Sequence, residues 1–159
     1  MKSSSKILLG IALMLGLIVL GVVLLRAPNV PDQVQVTDQL EAARAAGEAH
    51  DVGGVMRIVS DKYHDSNVPS PVQLRFLLNK VQGNEPVRVT QSLPVVSVQG
   101  DTATSTSHLR ITAAEGRVVF EHDVKIQWAH EDGNRLGVIP TKVWRIVNAD
   151  YGNLLGGLD

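Results

Sequence analysis

Residues 7–25 read Ile-Leu-Leu-Gly-Ile-Ala-Leu-Met-Leu-Gly-Leu-Ile-Val-Leu-Gly-Val-Val-Leu-Leu, nineteen positions without a charge or a strongly polar group. At a rise of about 1.5 Å per residue such a run reaches about 28 Å, close to the ~30 Å hydrocarbon core of a bilayer. A backbone in lipid must satisfy its own hydrogen bonds, so the run predicts a transmembrane helix over 7–25. The competing reading is a cleaved signal peptide, which would have a shorter apolar core and small residues at its exit. Here the exit is Leu24-Leu25-Arg26-Ala27-Pro28, and with no cysteine there is no lipobox. Both features favour an uncleaved anchor over a periplasmic protein released by cleavage. Gly10, Gly16 and Gly21 are not spaced as a helix-dimer motif. Lys2 and Lys6 precede the span and Arg26 comes after it. The positive-inside bias therefore predicts an inner-membrane, single-pass protein with residues 1–6 in the cytoplasm and the remaining chain in the periplasm or outside.

The chain beyond the span is the size of one ordinary domain. Residues 26–36 contain Pro28 and Pro31 and read as a stiff linker, 37–151 as the domain, and 152–159 as a fraying tail. Cysteine chemistry is excluded, because the chain has none. Residues 1–26 carry a charge of +3 and residues 27–159 a charge of −4. An acidic domain without a basic stripe is not expected to bind nucleic acid.

Apolar or small residues Leu40, Ala43 and Gly47, then Val52, Val55, Met56 and Val59, recur at helical spacing. Asp38 with Glu41 resembles a capping box. The phase slips near His50–Asp51, which predicts two helices, over 38–49 and over 51–60, with Asp51 capping the second. Ser70-Pro71 predicts a third helix with Leu74, Leu77, Leu78 and Val81 buried, ended by Gly83-Asn84. The period then becomes two. Strands are expected over 87–99, 102–113, 117–129 and 141–149, joined at Gly100-Asp101, Glu115-Gly116 and Asp132-Gly133-Asn134. Pro94 points to a bulge or an edge position in the first strand. The fold class is α+β: about three helices packed on an antiparallel sheet of four or more strands.

The order of elements, the stretch from Ala46-Gly47-Glu48-Ala49-His50-Asp51-Val52 to Val59-Ser60-Asp61-Lys62-Tyr63-His64-Asp65, and the closing Lys142-Val143-Trp144-Arg145-Ile146 resemble the nuclear-transport-factor-2-like (SnoaL-like, cystatin-like) superfamily. The resemblance covers residues 37–150. It implies a cone-shaped roll with a curved sheet. It leaves function open, since the fold hosts isomerases, dehydratases, epoxide hydrolases, transport factors and assembly subunits.

In the third predicted strand Val118, Phe120, His122, Val124, Ile126 and Trp128 share the apolar face, and Val119, Glu121, Asp123, Lys125 and Gln127 the other. In the resembled cone the apolar face lines the interior. The expected pocket residues are therefore Tyr63, Phe120, His122, Val124, Trp128 and Trp144. His122 is a candidate general base or ligand contact, against the plainer reading of a hydrogen-bonded core histidine. Tyr63, His64 and Asp65 form a cluster suited to proton transfer, against the plainer reading of a packed tyrosine followed by an aspartate-capped turn. His122, Tyr63 and Asp65 are thus the catalytic candidates. Few acids point inward, which weighs against acid–base catalysis. His108 and Arg110 read as a solvated face. The five histidines never occur at metal-binding spacing, and neither metal nor cofactor is expected.

Two functional readings stand at this point. One is a membrane-anchored extracytoplasmic module that binds a small apolar ligand or a membrane-protein partner, or pairs as a homodimer through its open sheet face. The other is a small-molecule lyase, isomerase or hydrolase with a pocket around His122 and Tyr63.

Overall fold

A computed structural model describes residues 30–82, 86–135 and 139–152. The expected membrane span over 7–25 and the tail from 153 onward lie outside the described residues. No helix among the described residues is long and apolar enough to cross a membrane. Residues 31–159 make one compact unit.

Helix α1 runs Asp32–Glu48, six residues earlier than the capping-box reading placed it. Pro31 takes the N-cap position with an extended ψ of 140°, and Asp32 supplies the acidic first turn. Asp38 and Glu41 therefore lie inside the helix, and residues 32–36, expected as linker, are its first turns. The helix ends where the apolar phase slips. His50 takes a left-handed φ of 56°, its N–H donates to Gly47 O, and Asp51 N–H donates to Ala46 O at 2.8 Å. This is a Schellman closure with histidine where glycine is usual.

Helix α2, Val52–Met56, is capped as expected: Asp51 Oδ1 accepts from Gly54 N–H at 2.8 Å. It stops before residue 60 because the chain there joins the sheet. Val59 forms a parallel bridge with Ile146, flanked by Ile146 N–H to Ile58 O at 2.8 Å and Ser60 N–H to Ile146 O at 2.9 Å. The β-branched pair Ile58-Val59 suits an extended backbone. Helix α3, Pro71–Gln82, starts at the Ser70-Pro71 signal, with Ser70 Oγ accepting from Gln73 N–H.

The sheet has five strands: β1 Val87–Gln91, β2 Val95–Gln99, β3 Thr102–Ala113, β4 Val118–Arg135 and β5 Ile139–Asp150. Its order is β1-β3-β4-β5, with β2 also on β3, and every pairing between these strands is antiparallel. The first expected strand is split at Pro94. Gln91 faces Leu109 while Val95 faces Thr106, so the β1–β2 side carries one extra residue, a bulge. The expected turn at Asp132-Gly133-Asn134 is instead strand, with Gly133 opposite Thr141. Glycine fits there because a Cβ would lie 2.9 Å from Val143 Cγ2.

The core gathers where helices and concave sheet meet. Val36 and Leu40 of α1 pack with Ile58, Val59, Tyr63 and Val68, against Trp128 and Trp144 from the sheet. Both tryptophans are 1% exposed. Small residues on β3 make room for them: Ala103 lies opposite Trp128, and Ser105 Oγ accepts from Trp128 Nε1 at 2.9 Å. Trp144 Nε1 donates to Asp32 Oδ1 at 3.3 Å, and its ring stacks on His130 at 3.8 Å between centroids.

Candidate functional site

One end of the concave face is left open and forms a cavity of about 660 Å³. Helix α1 contributes Leu40, Ala43 and Gly47, the same face its sequence spacing marked, and Val55 and Leu78 come from α2 and α3. The sheet contributes Val87 and Val89 of β1, Leu109, Ile111 and Ala113 of β3, and Val119, Val124 and Ile126 of β4. The volume falls within the range of roughly 300–1,000 Å³ typical of small-ligand sites.

Among the described residues, four polar side chains border this apolar space: Arg44, Gln91, Ser107 and Arg117. Arg44 is committed to carboxylates on its own helix, at 2.6 Å from Glu41 and 2.8 Å from Glu48. Glu48 also accepts from Val89 N–H at 3.0 Å, which ties α1 to β1. Gln91 Nε2 donates to Ser107 Oγ at 2.8 Å, satisfying a buried serine inside an apolar wall. Arg117 is exposed at the border, where its backbone carbonyl accepts from Ala113 N–H at 2.9 Å. Among the described residues, no Asp, Glu, His or Tyr belongs to the wall.

Of the six residues expected to line a pocket, Val124 alone lines this cavity. Trp128, Trp144 and Tyr63 are core. His122 is exposed, packed edge-on to Phe120 at 5.1 Å between ring centroids. Both share the inward face with Val124, since Phe120 pairs with Ile111 and His122 with Leu109, but neither belongs to the described cavity wall. The register between β3 and β4 shifts after the Ile111–Phe120 pair, because Thr112 faces Val118. That bulge lies before Phe120, leaves Phe120 and His122 in phase with Val124, and turns Val119 toward the cavity. In addition, β5 ends at Asp150, opposite Lys125, so β4 has lost that neighbour by the time it reaches His122.

Tyr63 and Asp65 are brought together, and the arrangement is a closed one. The Tyr63 hydroxyl donates to Asp65 Oδ2, and the Tyr151 hydroxyl donates to the same oxygen at 3.0 Å. Asp65 Oδ1 accepts from the backbone N–H of Asn67 at 2.6 Å and from that of Val68. Burial pushes the Asp65 carboxyl pKa upward, but the donors, Tyr63 first, outweigh it and the net displacement is downward. Burial, then the hydrogen bond to Asp65, raises the Tyr63 phenol well above its ordinary value. A fully engaged carboxylate and a phenol that holds its proton do not form a proton shuttle. His64 points elsewhere, its ring nitrogen 3.2 Å from Lys62 O.

On the face of the sheet away from the core, His108 Nδ1 lies 2.9 Å from Asp123 and its Nε2 3.4 Å from Glu121, with Arg110 beside Glu121. This is the solvated charged face expected. Among the described residues no group of three or more His, Asp or Glu is placed to hold a metal.

No family model matches the chain, and no curated protein matches it. Solved structures do. A cystatin-like-fold protein of unknown function from Nostoc punctiforme is 14% identical, with a TM-score of 0.58 over 74% of this chain and 87% of that one. An NTF2-like protein of unknown function from Pseudomonas putida is 12% identical, with a TM-score of 0.61 over 74% and 82%. The fold is NTF2-like. Bd1075 of Bdellovibrio bacteriovorus has a TM-score of 0.61 at 12% identity over 74% of this chain, which spans only 40% of that protein. Identities this low carry the NTF2-like architecture across and nothing about activity.

Proposed function

We propose that the NTF2-like domain is a binding module for a small apolar ligand, held at the outer face of a membrane by residues 7–25. The cavity supports this reading: its wall is largely aliphatic, three of its four polar side chains already have partners, and among the described residues it contains no acid or base for proton transfer. Such a surface favours burial of apolar area and offers no group for proton transfer. The enzymatic alternative around His122 and Tyr63 has less behind it, because His122 is exposed outside the cavity wall and the Tyr63 hydroxyl is committed to Asp65. The length of the apolar run and the lysines before it support the anchor and its orientation. A homodimer or a membrane-protein partner is a further proposal; the charged outer sheet face around His108 would make such a contact a polar one.

Native mass spectrometry of the full chain in nanodiscs tests the binding reading. An apolar adduct should accompany the wild-type protein and be absent from a cavity-filled variant such as A43F/L109W. A wild-type chain that carries no adduct, and takes up none when apolar compounds are added, would end this reading. Intact mass from the membrane fraction tests the anchor: loss of residues 1–26 would refute it.

A further inference from the structure

We propose that the cavity takes a single-chain amphiphile with an anionic head, its tail against the aliphatic wall and its head at Arg117. This rests on the apolar-ligand reading and adds the charge of the ligand. The charge balance of the wall carries it. Among the described residues, two cations and no anion border the cavity. The two cations are not equivalent. Arg44 sits between Glu41 and Glu48, both within 2.8 Å, so its charge is already compensated. Arg117 makes no ion pair among the described residues, and it stands at the end of the β3–β4 hairpin beside Ala113 and Val119.

The depth of the groups fixes which way the ligand lies. Arg117 is exposed, so a head group there keeps part of its hydration and need not meet the desolvation cost of a buried charge. Inward from it the wall is Ile111, Leu109 and Val124, with Leu40 and Ala43 facing them from α1. The Ser107–Gln91 pair is the polar feature within reach of the tail, and it is neutral and satisfied. A cationic head would meet Arg117 with like charge. An uncharged one would leave it unused. Carboxylate and phosphate heads share the required chemistry, and guanidinium can bind either with two parallel hydrogen bonds.

Photo-crosslinking on the full chain in phosphatidylcholine nanodiscs separates these outcomes. The probes share one diazirine-bearing twelve-carbon tail and differ in the head: carboxylate, phosphate, alcohol or trimethylammonium. Labelled peptides are mapped by mass spectrometry and normalised to probe in the lipid. The expected result is labelling of the β1, β3 and β4 wall by the anionic probes, about tenfold above the alcohol and more above the cation. Arg117→Gln should remove that preference while leaving alcohol labelling unchanged, and Arg117→Lys should restore most of it. The carboxylate-to-phosphate ratio tells a fatty acid from a phosphorylated lipid. Equal labelling by all four heads would overturn the anion inference and leave the apolar-ligand reading standing. Absence of label from the wall with every probe would overturn both. Anion preference that survives in Arg117→Gln would overturn the assignment to Arg117.

Discussion

Tyr151 donates its hydroxyl proton to Asp65 across 86 residues of sequence, so the last described turn of the chain is fastened to the loop between α2 and α3. Tyr63 shares the same carboxylate oxygen, and two backbone N–H groups take the other. Asp65→Ala would leave these donors without an acceptor. A loss of about 2–4 kcal/mol in urea unfolding is expected, because buried donors left unpaired cost more than the bond itself was worth.

The same carboxylate sets an acid limb. Its pKa is depressed in the folded protein. Its contribution is therefore complete above the unfolded-state value of about 4 and is lost as pH falls through the lower folded value. Stability measured against urea should drop over that interval. Asp65→Asn should flatten the drop, and an unchanged acid limb in that variant would assign the effect to other groups.

His108 behaves with the opposite sign. Hydrogen bonding to Asp123, then to Glu121, raises its pKa. Its charged form is favoured in the fold below the unfolded value of about 6.5, and that small surface contribution is lost as pH rises through the folded value. A proton NMR titration should show His108 with its midpoint above that ordinary value, and Asp123→Asn should bring it down.

Glycine positions in the first two helices separate packing from propensity. A Cβ on Gly54 would lie 2.8 Å from Ala46 Cβ, a side chain with no freedom to move aside, and 2.5 Å from Asp51 Oδ2. Gly54→Ala should cost about 1–3 kcal/mol. A Cβ on Gly47 meets nothing within 4 Å. Gly47→Ala should stabilise α1 by up to about 1 kcal/mol in thermal unfolding.

Glu48 joins α1 to the backbone N–H of Val89. Glu48→Ala should speed hydrogen exchange at Val89 and lower stability by about 1 kcal/mol. Exchange at Trp128, deep in the sheet, should slow or speed only with global stability.

Residue patterns carried the architecture further than they carried the site. The helix start at Ser70-Pro71, the cap at Asp51 and the bulge at Pro94 were all legible, because each rests on a local steric or hydrogen-bonding rule. The inward face of β4 was legible from Phe120 to Trp128. A bulge costs one residue and left no mark in Val118-Val119-Phe120, so alternation extrapolated past it put Val118 on the inward face in place of Val119. The inward face of β3 was identifiable as a set, from Ala103 to Ile111, but its small serines concealed its role. Ser105 is small because Trp128 packs against it, and Ser107 bonds Gln91 at the cavity wall. Arg117 and Gln91 left no signal, since their significance comes from what α1 places opposite them.

The bridge from Val59 to Ile146 has a consequence for how copies of this protein can meet. On one flank, the backbone of β5 near Ile146 is already taken by Ile58 and Ser60. On the other, Val89 is taken by Glu48, and the Pro94 kink breaks the line of the strand. At these positions a second chain finds no run of free amides to zip onto. Growth into a filament by strand addition is therefore disfavoured there, and association would have to use side chains on the faces of the roll.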